Sequence, residues 1–143
     1  MNTQSHDARP SWTPIVGVQL HKTGVQFDAV QINGVLGRDI ADLLMKLTSG
    51  DPGPIVTESN GAHATYFLVP VGSASHRPWP PGVTRPDFVP VPAVDGGTWP
   101  LAWRSAPRTE ERFVHGLMLH QASWAISSAT TAHASAAGSI SGK

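Results

Sequence analysis

Apolar and polar positions change period several times along the chain, and each change marks an element boundary. Ile15-Val16-Gly17-Val18-Gln19-Leu20 is a short β-branched run and predicts a strand. His21-Lys22-Thr23-Gly24 predicts a turn. Val25 to Ile32 partly alternates apolar with polar, the period of a half-buried strand, so the two runs form a candidate hairpin. Asn33-Gly34 breaks this pattern. From Val35 to Thr48 the period is helical, with Val35, Leu36, Ile40, Leu43, Leu44 and Leu47 on one stripe. Arg38 and Asp42 stand four apart on that helix and predict an ion pair. The run Ser49-Gly50-Asp51-Pro52-Gly53-Pro54 stops it.

Ile55-Val56-Thr57 is short and β-prone, and an Asn60-Gly61 turn signal follows. Thr65-Tyr66-Phe67-Leu68-Val69 is nearly continuous in apolar and β-prone residues, as a strand covered on both faces requires. Residues 71–86 are rich in Pro, Gly and Ser and predict a long loop, a kind of segment that is often functional or mobile. Phe88-Val89-Pro90-Val91-Pro92 is extended, and its prolines confine it to an edge or a strand end. Trp99 to Trp103 is a last extended piece. Ser105 is a candidate cap for a final helix starting near Ala106, with Pro107 in its first turn. Phe113, Val114, Leu117 and Met118 are the buried stripe expected of it, and Glu110-Glu111 near its start suits the helix dipole.

The order β-β-α-β-β-loop-β-β-α predicts an α+β domain with an antiparallel or mixed sheet and two main helices. Residues 1–12 are polar and predict a flexible arm, and 13–124 form a single domain. Residues 125–143 are an Ala/Ser/Thr/Gly tail, too poor in apolar surface to offset its ordering entropy, and are expected to be disordered.

Composition narrows the chemistry. The 143 residues contain no Cys, which excludes a thiolate nucleophile, a disulfide framework and a zinc–cysteine site. That absence is compatible with the expected cytoplasmic location. No stretch approaches the ~18–20 apolar residues of a membrane span, so no membrane partner is expected, and the N-terminus lacks the apolar core of a signal peptide. Ten Lys and Arg balance ten Asp and Glu, which argues against a strong phosphate-binding surface. The balance is uneven, however. Residues 76–108 carry Arg77, Arg85, Arg104 and Arg108 against Asp87 and Asp95, beside three of the five tryptophans, Trp79, Trp99 and Trp103.

Four short pieces, taken in order, carry a family likeness. They are Phe27-Asp28-Ala29-Val30 ahead of a helix, Gly53-Pro54-Ile55-Val56-Thr57 ahead of a Gly turn, Tyr66-Phe67-Leu68-Val69-Pro70 ahead of a Gly-Ser-Ala loop, and Phe88-Val89-Pro90-Val91-Pro92 followed by Trp103-Arg104. Together they span about residues 25–104. In them the chain resembles the prim-pol domain of bifunctional DNA primase/polymerases, a branch of the archaeo-eukaryotic primases. It looks most like short stand-alone bacterial relatives of that domain. The resemblance implies a primase-polymerase-like fold.

The family's enzymes hold divalent metal on an Asp-x-Asp pair, since a spacing of two puts both carboxylates on one strand face. Asp28 matches the first position, but Val30 occupies the second and cannot ligate metal. A family His stands two residues before an aromatic, whereas His63 stands three before Tyr66. Asp87 is the nearest match to a third carboxylate. The resemblance therefore implies Asp28, His63 and Asp87 as remnant metal candidates, with no catalytic residue assigned.

Three functions follow as expectations. The first is a catalytically inactive prim-pol-like domain acting as a binding or regulatory protein, without cofactor. The second is a reduced metal-dependent nucleotidyltransferase, or a subunit of one, using a divalent metal such as Mg; it needs Asp28, His63 and Asp87 to converge in one pocket. The third is a small regulator of gene expression or secondary metabolism acting through a protein partner. Arg77, Trp79, Arg85, Trp103 and Arg104 are the candidate contacts to a protein partner or, weakly, to nucleic acid, because Trp and Arg both stack on bases and anchor interfaces. The bland alternative is that these tryptophans pack against proline in a small core. His115 and His120 lie five apart and share no helix face, so they make a poor metal pair.

Overall fold

The computed structural model describes residues 9–141, with side chains as far as 129. The elements run β1 (Val18–Lys22), β2 (Asp28–Asn33), α1 (Gly34–Leu47), β3 (Ile55–Glu58), β4 (Ala64–Val69), β5 (Val83–Thr84), β6 (Phe88–Pro92), β7 (Leu101–Ser105) and α2 (Gly116–Ser141). Five strands form an antiparallel sheet in the order β5-β2-β4-β3-β7, and β1 pairs antiparallel with β6 in a separate ribbon. The class is α+β, with two helices and antiparallel sheets.

Strand alternation divides the core into two layers. Val30, Ile32, Ile55, Phe67 and Val69 point from the sheet to one side and pack against Ile40, Ala41 and Leu44 of α1 and Leu119 and Ala122 of α2. Ala29, Val56, Tyr66 and Leu68 point to the other side, where the ribbon's Val89 and Val91 cover them together with Trp12, Phe27 and Leu101. Central β4 serves both layers, and all six of its residues are buried. This is the physical reason for its unbroken apolar run.

Two glycines set how closely elements approach. A Cβ on Gly37 would stand 2.9 Å from Thr65 Oγ1 and nearer still to the Ile32 carbonyl, so α1 rests backbone-close on the sheet. Gly53 has φ +109, and a Cβ there would meet the Val114 amide nitrogen at 2.7 Å.

Several expectations need correction. β1 and β2 are not a hairpin. Both edges of β2 are already taken by β4 and β5, so β1 finds its partner in β6. The arm is not loose where it meets the domain: Trp12 is 3% exposed and packs on Phe27, Phe113 and Trp103 at ring distances of 5.2, 5.7 and 6.3 Å. Residues 1–8 of that arm lie outside the described residues.

The last helix starts at Gly116 rather than near Ala106. Residues 106–115 cross the molecule from β7 to α2, tied by the Val114 N–H to the Leu68 carbonyl at 2.8 Å. Glu110 therefore serves no helix dipole. Its carboxylate accepts from the Ser11 N–H at 2.8 Å and from the Ser11 hydroxyl, and its carbonyl accepts from Trp12 Nε1. Leu119 and Ala122 form the buried stripe of α2, while Leu117 is exposed.

The backbone is helical to Ser141 where composition predicted a disordered tail from 125, and Ile126 packs on the helix-side core. Alanine has the highest helix propensity, and a helix already held by Leu119 and Ala122 extends without a new nucleation cost. Residues 142 and 143 lie outside the described residues. No described helix is long and apolar enough to cross a membrane.

Candidate functional site

The remnant metal residues divide between two ends of one strand pair. Asp28 opens β2 opposite Val69, at the end of the sheet where β4 gives way to the 71–86 loop. Its Oδ2 accepts the Gly72 N–H at 2.7 Å, so the carboxylate anchors the start of that loop. Asp28 and Asp87 both line an open groove of about 540 Å³, together with Thr23, Ser75, Thr84 and Arg85. The loop itself contains β5, whose Val83 and Thr84 pair with Ile32 and Gln31. Asp87 also fixes the ribbon, because its carbonyl accepts the Thr23 N–H at 2.9 Å.

His63 is elsewhere. It precedes β4 in a left-handed turn with φ 52, its N–H bonded to the Asn60 carbonyl and its own carbonyl accepting from Gly34. A residue outside the strand has no strand register, so its spacing from Tyr66 does not decide which face it meets. Five residue steps separate Asn33, paired with Ala64, from Asp28. At about 3.3 Å per step this places the His63 turn roughly 17 Å from Asp28.

Val30, which the resemblance sets against a second carboxylate, is fully buried among Phe67, Ile40 and Leu44. A metal ion there would have to displace core packing. Among the described residues, no three His, Asp or Glu side chains gather closely enough to hold a metal ion. The residues present do not fit the divalent metal of a nucleotidyltransferase.

The five Trp and Arg contact candidates also separate into two groups. Arg77, Trp79 and Arg85 belong to the loop, where each donates to a loop carbonyl: Arg77 Nε to Ser73 O at 2.7 Å, Trp79 Nε1 to Ala74 O at 3.0 Å and Arg85 Nη1 to Ser75 O at 3.4 Å. Trp103 and Arg104 lie on β7 at the opposite edge of the sheet. Four strand spacings of about 4.8 Å put the two edges roughly 19 Å apart. Trp103 is half-buried against Trp12 and donates from Nε1 to Pro92 O at 2.9 Å. Arg104 meets Asp42 at 3.2 Å, which removes Asp42 from the expected pairing with Arg38; Arg38 instead donates to the Glu58 carbonyl. For both tryptophans, packing accounts for most of what the side chain does.

Two features were not read from the sequence. One is the clamp of α2 on the loop: His120 Nε2 and Trp124 Nε1 both lie within bonding distance of the Pro78 carbonyl, at 3.1 and 2.7 Å, and the His120 ring stands edge-on to Trp79 at 5.2 Å. The four-residue spacing of His120 and Trp124 was the available signal, since it places both on one helix face. The other is a run of arginines beyond β7. Arg108 and Arg112 both reach Asp51, at 3.1 and 2.6 Å, and the Arg112 bond above all holds the Asp51 carboxyl below its ordinary value. Glu110 is likewise held down, by its bonds from Ser11. Arg9, Arg104 and Arg108 line one open groove of about 580 Å³ with Met45, Val94 and Pro107. Nothing local in the sequence joins these three arginines, which come together only through the crossing segment after β7.

Comparison with protein-family models, with curated proteins and with solved structures returns no match.

Proposed function

We propose that this domain is a non-catalytic binding or regulatory module. One observation carries the reading. The strand position that must supply the second metal carboxylate is Val30, locked in the helix-side core, while Asp28 is engaged in anchoring the loop through Gly72. Of the other two candidates, Asp87 lines the groove beside Asp28, but His63 stands at the far end of the strand pair. In this reading the prim-pol-like resemblance is that of a scaffold without the metal chemistry.

A protein is favoured over nucleic acid as what this module meets. The ribbon exposes Val18 at 46%, Leu20 at 66% and Phe88 at 51%, whereas the chain as a whole carries no net charge. Clustered apolar exposure marks protein contact surfaces, and nucleic-acid affinity rests on neutralised phosphates.

The test is a template-primed extension assay with nucleoside triphosphates and Mg²⁺ or Mn²⁺, run beside a titration with a single-stranded oligonucleotide at physiological salt. The expected result is no synthesis, with or without Asp28→Asn, and no saturable oligonucleotide binding. Metal-dependent synthesis that Asp28→Asn abolishes would overturn the non-catalytic reading. Saturable oligonucleotide binding would overturn the preference for a protein.

A further inference from the structure

We propose that the open groove beyond β7 is a binding site for a small phosphate monoester with a compact apolar body. Three guanidiniums, Arg9, Arg104 and Arg108, line it, and no carboxylate does. Gathering three like charges costs Coulomb energy, so their partners matter. Arg104 meets Asp42 through Nη2 alone, and Arg108 meets Asp51 through Nε alone. A guanidinium carries five N–H donors, so each of these contacts engages only one nitrogen and leaves the rest of the fork able to grip a tetrahedral oxyanion.

The charge balance favours an anion. Around the groove, Arg9, Arg104, Arg108 and Arg112 stand against Asp42, Asp51 and Glu110, the last sharing a neighbouring pocket with Arg9, so positive charge is in local excess in a chain of zero net charge. A phosphate monoester is close to doubly charged at neutral pH. Inorganic phosphate would satisfy that charge but not the rest of the lining. Met45, Val94, Ala106 and Pro107 supply an apolar wall beside the arginines. The volume, about 580 Å³, lies within the ~300–1,000 Å³ range of small-molecule sites. Arg9 and Arg108 stand 99 residues apart in the chain, so the folded segment after β7 is what assembles the site.

This proposal rests on the reading of the domain as a binding module, which the extension assay tests separately. Its own test is a calorimetric and amide-NMR titration of the full chain with phenyl phosphate, inorganic phosphate and phenol. Phenyl phosphate is expected to bind saturably and to shift the amides of Gly50, Val94 and Ser105. Inorganic phosphate is expected to bind more weakly, and phenol not at all. Arg108→Gln and, separately, Arg9→Gln are expected to weaken phenyl phosphate binding about tenfold or more each, the loss of one charge-assisted contact. Two variants keep the test decisive if one of them fails to fold. No saturable binding into the millimolar range, binding unchanged in a folded variant, or amide shifts confined to other parts of the chain would each overturn the site. Equal affinity for inorganic phosphate would overturn the apolar half of the proposed ligand.

Discussion

Gly37→Ala sets two physical effects against each other at one atom. Gly37 lies in the interior of α1, where alanine is favoured over glycine by about 1 kcal/mol, so helix propensity alone predicts stabilisation. The tertiary contact predicts the reverse. The new methyl carbon would stand 2.9 Å from Thr65 Oγ1 and closer to the Ile32 carbonyl oxygen. The carbonyl is backbone and cannot rotate away, so α1 must lift from the sheet. Over-packing of this kind typically costs about 1–3 kcal/mol, and more when backbone has to move. The balance is a net loss of about 1–2 kcal/mol, or roughly 5 °C in Tm for a domain of this size. Thermal unfolding followed by circular dichroism, with urea melts beside it, reads this directly. Adding Thr65→Ala removes the Oγ1 contact and leaves those to the Ile32 carbonyl and to the Thr65 Cβ at 3.0 Å, so the double variant is expected to lose less than the sum of the single losses. A Gly37→Ala protein more stable than the parent would refute the close approach of α1 to the sheet.

Other outcomes follow from the same geometry. Trp12→Ala empties a buried site contacted by three aromatic rings and is expected to cost about 3–5 kcal/mol in urea unfolding; a loss under about 1 kcal/mol would return the arm to the loose state its composition implies. Asp51 and Glu110 are held below their ordinary values of 3.8 and 4.5. A depressed folded-state pKa adds stability above the unfolded value and loses it as pH falls through the folded value. Tm is therefore expected to drop below about pH 4.5, with a shallower acid limb in Asp51→Asn and in Glu110→Gln; an unaltered limb in both variants contradicts these contacts. Trp124→Phe removes the bond to the Pro78 carbonyl and is expected to cost about 1 kcal/mol, with faster amide exchange in residues 73–77. Exchange at the parent rate would show that the clamp does not hold the loop.

Local pattern determined much of this protein. The helical period of 35–48, the unbroken apolar run of 65–69 and the proline-marked strand at 88–92 each identified an element, because burial on one face or two writes a period into neighbouring residues. The carboxylate–valine pair at 28 and 30 was legible for the same reason: two residues on one strand share a face whatever surrounds them.

Partners distant in the chain were decided only by tertiary structure. β1 looked like half of a hairpin until both edges of β2 proved occupied. Asp42 stood at the right spacing for Arg38, and an arginine sixty-two residues away took it. Trp12 read as part of a polar arm because its burial depends on Phe27, Phe113 and Trp103, none of them near it in sequence. The tail's composition spoke against burial, yet it continues a helix nucleated by its neighbours. The arginine-lined groove lies wholly in this second class. A groove is a relation among side chains from distant segments, and the sequence states the residues without stating which of them meet.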